Sequence, residues 1–292
     1  MLKPIYGITS AVCAIAGTLA IGVTLSRACE FRTDANRNAG FVEVTNSDVR
    51  WVLGAQDKSA PIPQWARGKI INEVRVPKTE KVIALTFDDG PNPPYTGQIL
   101  KILKDHNAKA TFFLVGEELS DHRSLAREIL AQDHAVGNHS WSHPSRPHNP
   151  ASEVSKTDKL IKSVLGIDPV LFRPPYGITT NGMSKAARAN GAAVFLWSID
   201  TVDWSRPGIK KIASRVIRGA APGRIALMHD GGGNRSQTVS ALPHILETLK
   251  KQGYRFVTIP ELLELRAPES PKSSSGSSSH GNKTTRRTKP TH

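Results

Sequence analysis

Two adjacent carboxylates, Asp88 and Asp89, end the apolar run of "VIALTFDDGP", Val82 to Pro91. Neighbouring side chains in a strand point to opposite faces, so an extended chain would aim only one of these acids at a site. Gly90 supplies backbone freedom and Pro91 ends ladder pairing, so the strand is expected to stop at or just after Phe87, letting both carboxylates converge. Further along, "HSWSH" sets His139 and His143 four apart. On a helical turn that spacing puts two imidazoles on one face, where they can grip one ion. With ten histidines in the chain, such a pair is weak evidence alone. A carboxylate at another strand end adds weight, because two histidines and one carboxylate form a catalytic set that leaves a coordination position for water. One aspartate would then bind the ion while its neighbour serves as a base for the water. The competing reading of "DDG", an acidic turn capping the next helix, loses weight once these other pieces are present.

Such residues need a frame, and the sequence alternates strand-like and helix-like stretches. "VIALTF" precedes the helical "YTGQILKILKDHN", with Ile99, Ile102 and Leu103 on one face. "ATFFLVG", "HAVGNH", "VLFRPP", "AAVFLWSID", "GRIALMHD" and "YRFVTI" read as further strands. "SLAREILAQ", "ASEVSKTDKLIKSVLG" and "QTVSALPHILETLKKQG" read as helices. This order predicts an α/β fold with a mostly parallel sheet, open or closed into a barrel. Asp88, Asp89, His139, Arg173, Asp200 and His229 all fall at strand ends, and in a parallel barrel the C-terminal strand ends share the face where chemistry is built.

The 292 residues carry a formal charge of +14, which suits an acidic partner such as an anionic polymer. The basic cluster "NKTTRRTKPTH" has no aromatic residue interleaved to stack on bases, so it reads as a solvated tail and nucleic acid is not expected as a partner. The two cysteines, Cys13 and Cys29, lie in or beside an N-terminal apolar run. A metal in the globular part must therefore use His and carboxylate ligands. The uncharged run Ile8 to Leu25, after Lys3 and before Arg27, is long for a signal-peptide core and just long enough to span a membrane. It is expected to be an export signal or membrane anchor, giving an extracytoplasmic, membrane-anchored or secreted protein. The expected layout is a signal or anchor over 1–29, a linker over 30–77 with a short strand at "INEVRV", a catalytic domain over 78–265 and a disordered Ser-rich basic tail over 266–292.

Taken together, "TFDDG", "HSWSH", "RPPYG", "DTVDW" and "LMH" resemble, in order and approximate spacing, the motifs of the polysaccharide deacetylases, the NodB-homology domain of carbohydrate esterase family 4. The resemblance covers roughly Lys78 to Leu265 and implies a distorted (β/α) barrel. It implies Asp89, His139 and His143 as ligands of a divalent metal, with zinc expected and cobalt or another divalent ion compatible. By the same likeness Asp88 is the general base and Arg173 the residue that holds it in place. Tyr176 offers a backbone N–H to the oxyanion, His229 is the general acid and Asp200 the carboxylate that orients it. Trp204 and Leu227 wall the pocket for the acetyl methyl group. Asp203 receives no role, and His134, His148 and His244 are expected to be structural or exposed.

The implied activity is metal-dependent N-deacetylation of N-acetylglucosamine units in a polysaccharide, peptidoglycan first. Chitin oligosaccharides, poly-N-acetylglucosamine or O-acetylated xylan are alternative substrates, and a non-catalytic wall-glycan-binding protein is the alternative of another class.

Overall fold

The computed structural model describes residues 62–268; the expected signal or anchor, both cysteines and most of the basic tail lie outside them. Among the described residues nine strands form one sheet: β1 (Ile70–Ile71), β2 (Val82–Asp88), β3 (Thr111–Leu114), β4 (Ala135–Asn138), β5 (Leu171–Phe172), β6 (Ala193–Phe195), β7 (Ile199–Asp200), β8 (Arg224–His229) and β9 (Arg255–Phe256). The order is β1-β6-β5-β4-β3-β2-β8-β7, with β9 pairing β2, and the pairings between these strands are parallel. The sheet curls into a half-barrel. Near its seam, past β1, Glu73 forms an antiparallel bridge with Arg224 and Val74 N–H donates to Gly223 O at 2.9 Å.

Residues 62–77, expected as part of a linker, carry β1 and pack on the domain, burying Ile62, Ala66, Ile71, Val74 and Val76. The prolines of "SAPIPQWARG" argue against long elements here, and the buried apolar residues that follow anchor the segment to the domain.

Helices alternate with the strands: α1 (Tyr95–Asp105), α2 (Gly116–Asp121), α3 (Arg123–Ala131), α4 (Pro150–Leu165), α5 (Met183–Ala189), α6 (Ile209–Gly219), α7 (Ser236–Lys251) and α8 (Ile259–Glu264). In α1 the buried residues Thr96, Ile99, Leu100 and Leu103 lie on one helical face. Asn149 starts α4 by accepting the Ser152 N–H at 3.0 Å, with Pro150 as its first residue.

The two faces of β2 enter different cores. Ile83, Leu85 and Phe87 pack with the helices, while Val82 and Ala84 pack inside with Phe113, Leu171, Phe195 and Ile225. Strand alternation therefore turns Thr86 and Asp88 inward. In β8 the same rule sends Ala226 and Met228 out to the helices and Leu227 and His229 in. A period of two, set by apolar packing lower in each strand, thus aims the polar residues at the strand ends.

Candidate active site

Asp88 is the last residue of β2, in register with Phe113 on one side and His229 on the other, and it is buried. The strand extends one residue beyond Phe87, and Asp88 points inward by ordinary alternation. Asp89 would face outward if the strand continued. Instead its φ of 74° turns the chain, and both aspartates reach the same centre. The two acids converge as expected, but through a left-handed residue at Asp89.

The histidine pair also converges, without a helical turn. His139 directly follows β4, and the chain then bends through Ser140 at φ 70° and His143 at φ 56°. Asp89 Oδ1 lies 3.4 Å from His139 Nε2 and 3.2 Å from His143 Nε2. Each of the three residues offers a donor atom within 4.8 Å of the others.

Three observations show that these residues suit a divalent cation. Asp89 Oδ1 is buried with no hydrogen-bond partner, an acceptor in want of a cation. His139 Nδ1 lies 2.7 Å from Arg173 O; as donor there, it leaves the Nε2 lone pair facing the cluster, the usual arrangement of a metal-ligating histidine. Burial and the neighbouring His139 push His143 down to about 4, so its imidazole is neutral and able to ligate. Burial pushes Asp89 up, but His139 beside it prevails and holds its carboxyl below the usual carboxylate range. Burial opposes charge on His139, yet Asp88 and Asp89 raise it; this centre favours positive charge, which an ion could supply in place of a proton.

Arg173 comes off the end of β5 and is fully buried. Its Nη1 donates to Asp88 Oδ1 at 2.8 Å and to Thr86 Oγ1 at 2.7 Å, binding two inward residues of one strand. Nε and Nη2 donate to Phe195 O and Leu196 O at 3.2 and 3.1 Å, and the guanidinium lies 4.2 Å from the Phe113 ring centroid. Gly137 makes room for that ring, since a Cβ there would come within 2.6 Å of it.

One expected pairing is not formed. Asp200 does not orient His229: it is exposed, sits beside Leu227 in the register, and its Oδ1 accepts the Val202 N–H at 2.8 Å. The partner is Asp203, to which no role had been assigned. Asp203 Oδ1 is 2.7 Å from His229 Nδ1, and Oδ2 accepts the His229 backbone N–H at 2.9 Å and the Thr238 hydroxyl at 2.7 Å. The chain gains this reach by turning at Val202, φ 51°, so the second acid of "DTVDW" passes under the imidazole. Burial alone would lower the His229 pKa, but the bond and charge of Asp203 lift it to about 9, with Asp88 and Asp89 adding to the rise. Burial likewise opposes charge on Asp203, and His229 outweighs it, holding the carboxyl below its usual range. His229 is therefore an imidazolium near neutral pH.

Tyr176 sits in the turn Pro175–Gly177 at φ 57°, with its exposed ring edge-on to His143 at 4.6 Å. Trp204 is exposed and Leu227 buried, and both line the cleft. That cleft, of about 750 Å³, is also lined by Asp88, Asp89, His139, His143 and His229, and by Trp197 and Arg235, which the sequence reading passed over. Asp230, also passed over, is fully buried behind the turn: its Oδ2 accepts the Thr96 hydroxyl at 2.5 Å. Burial pushes it up to about 7. A Cβ on Gly90 would collide with it, which explains the glycine after the acid pair. Of the remaining histidines, His134 is buried and His148 and His244 are partly or fully exposed.

A curled parallel sheet with its ionisable groups gathered at C-terminal strand ends defines an α/β-barrel enzyme architecture. A family model for polysaccharide deacetylases matches residues 75–195. The peptidoglycan-N-acetylglucosamine deacetylase of Bacillus cereus is 42% identical over 202 residues, spanning 65% of this chain and 92% of that protein. A chitooligosaccharide deacetylase of Bradyrhizobium sp. is 35% identical over 196 residues, spanning 62% of this chain and 90% of that protein. A solved peptidoglycan N-acetylglucosamine deacetylase, in complex with 4-naphthalen-1-yl-N-oxidanyl-benzamide, superposes with a TM-score of 0.62 at 34% identity, over 68% of this chain and 95% of that one. The chain spans about half the length of the longer peptidoglycan deacetylase PgdA of Listeria monocytogenes. The chain belongs to the polysaccharide deacetylase family, carbohydrate esterase family 4.

Proposed function

We propose that this chain is a metal-dependent N-deacetylase that hydrolyses the acetamido group of N-acetylglucosamine residues in an extracytoplasmic polysaccharide, with peptidoglycan the first substrate. The observation that carries this reading is the meeting, in one cleft, of an inward carboxylate (Asp88), an Asp89–His139–His143 cluster and the Asp203-bound imidazole of His229.

Asp89, His139 and His143 would hold a divalent ion, zinc by first expectation, and that ion would polarise the acetyl carbonyl and acidify the attacking water. Asp88, gripped by Arg173 and with Oδ2 3.6 Å from His139 Nε2, takes the proton of that water. The Tyr176 N–H donates to the oxygen on which negative charge develops. His229, with Nδ1–H donated to Asp203, presents Nε2–H to the cleft and protonates the nitrogen as the C–N bond breaks. Leu227 and Trp204 close an apolar space around the methyl group. Base and acid are held by separate partners, Asp88 by Arg173 and His229 by Asp203.

The similarity to the B. cereus protein supports peptidoglycan as substrate, and the similarity to the Bradyrhizobium protein supports chitin oligosaccharides as the second reading. The extracytoplasmic setting rests on the apolar run Ile8 to Leu25, acting as export signal or anchor. Acetate release from peptidoglycan, chitin oligosaccharides and acetylated xylan, with metal content measured in parallel, tests the reading. Highest turnover on peptidoglycan is expected; glycan binding without acetate release from any substrate would overturn it.

A further inference from the structure

One charged group on the wall of the cleft takes no part in the chemistry above. Arg235, just before α7, is 5% exposed and lines the cleft beside Gly232 and Trp204. Its guanidinium is held by backbone carbonyls: Nε donates to Gly231 O at 2.6 Å, Nη2 to Gly232 O at 2.8 Å and Nη1 to Trp204 O at 3.5 Å. Among the described residues it forms no ion pair, whereas the other buried guanidinium of the site, Arg173, has Asp88 at 2.8 Å. Asp89 borders the same space at Gly232: a Cβ there would lie 2.5 Å from Asp89 Oδ2 and 3.3 Å from Arg235 Nη2, although the two side chains form no ion pair. The glycine, at φ 69°, leaves that space open.

A buried cation with no carboxylate in direct contact is costly to maintain. Arginine cannot relieve that cost by losing its proton, and its planar fork of N–H groups matches a carboxylate in two places. The three carbonyls leave N–H groups of Nη1 and Nη2 unspent at the cleft wall. Trp204, which shares a hydrogen bond with this guanidinium, offers an exposed ring on which a sugar can lie. The pair thus presents an apolar face and a positive fork side by side, next to the proposed reaction centre.

We propose that Arg235 is a specificity-determining residue that binds a carboxylate carried by the sugar next to the N-acetylglucosamine unit being deacetylated. The inference rests on the deacetylase reading and adds to it the charge of the preferred polymer, which is acidic rather than neutral.

The test compares kcat/KM for acetate release from two tetrasaccharides. One alternates N-acetylglucosamine with N-acetylmuramic acid bearing free lactyl carboxylates; the other is chitotetraose. The wild-type chain, Arg235→Gln and Arg235→Lys are measured, each with bound metal determined. Wild type is expected to prefer the acidic substrate, by a margin that shrinks as salt rises. In Arg235→Gln the acidic-to-neutral ratio should fall roughly 10- to 100-fold, mainly through KM, with Arg235→Lys intermediate and metal content retained. A ratio unchanged by both variants would overturn the proposal. So would loss of metal in Arg235→Gln, which would make Arg235 a support for Asp89 instead. The wild-type salt dependence needs no variant, and a preference for the acidic substrate that is absent or salt-independent would also overturn it. Acetate release by wild type from neither tetrasaccharide is a different outcome: it would sink the deacetylase reading and this proposal together.

Discussion

Asp203 grips His229 at two points, its Oδ1 2.7 Å from the imidazole Nδ1 and its Oδ2 2.9 Å from the backbone N of the same residue. One carboxylate thereby fixes the ring and the end of β8 together, and Thr238 holds the carboxylate from behind. Asp200, three residues earlier, is spent on its own turn.

The first expectation concerns this pair. With the His229 pKa raised to about 9, the acid form dominates near neutral pH and is lost as pH rises through that value. Asp203→Asn removes the charge that raises it, so the alkaline limb of the pH–kcat profile should move to lower pH. A kcat loss of roughly 10²- to 10⁴-fold is expected near neutral pH. Asp200→Asn should leave that limb in place. A pH–rate profile of each variant, with the His229 ring titrated by NMR, checks both outcomes.

Arg173 yields an expectation about stability. Its guanidinium is fully buried and binds Asp88, Thr86 and two carbonyls of the β6 region. Replacing it with Met leaves a buried carboxylate without its cation, a change that typically costs about 3–5 kcal/mol. Urea denaturation should show a lower midpoint with an unchanged slope. A midpoint equal to wild type would contradict the pairing.

His134 yields a pH dependence. It is buried, accepts the Ala110 N–H on Nδ1 at 3.2 Å and packs against Phe112. Burial and then Lys109 push its pKa down to about 4 from 6.5. Above pH 6.5 the ring is neutral in both folded and unfolded chains. As pH falls, the unfolded chain takes up the proton first, so this contribution to stability is lost progressively between about pH 6.5 and 4. The loss is on the order of 3 kcal/mol. His134→Gln should flatten the stability–pH curve over that window relative to wild type, as measured by denaturation at each pH.

The parts of the site readable from sequence were those governed by local periodicity. The apolar alternation of "VIALTF" carries through Thr86 to Asp88 and points it inward, and the same rule aims His229. What could not be read depended on backbone departures that residue type alone does not announce. Asp89, Ser140, His143 and Val202 all adopt positive φ without being glycine, and each redirects a side chain or its neighbour. The helical turn expected for "HSWSH" failed for that reason, and so did the choice of Asp200 over Asp203. The tighter signal lay in the motif itself: "DTVDW" has two acids, and only the second lies beyond the turn. Arg235 was invisible because its partners are carbonyls, which any residue supplies.

The central claim is that Asp88 and Asp89, neighbours in sequence, perform separate tasks as base and metal ligand. The most direct test measures bound metal and acetate release from peptidoglycan for wild type, Asp88→Asn and Asp89→Ala, each purified in the presence of zinc. The account predicts that Asp89→Ala loses metal and activity together. It predicts that Asp88→Asn retains the metal while its turnover falls by roughly 10²- to 10⁴-fold. Wild-type turnover in Asp88→Asn, or full metal content in Asp89→Ala, would contradict it.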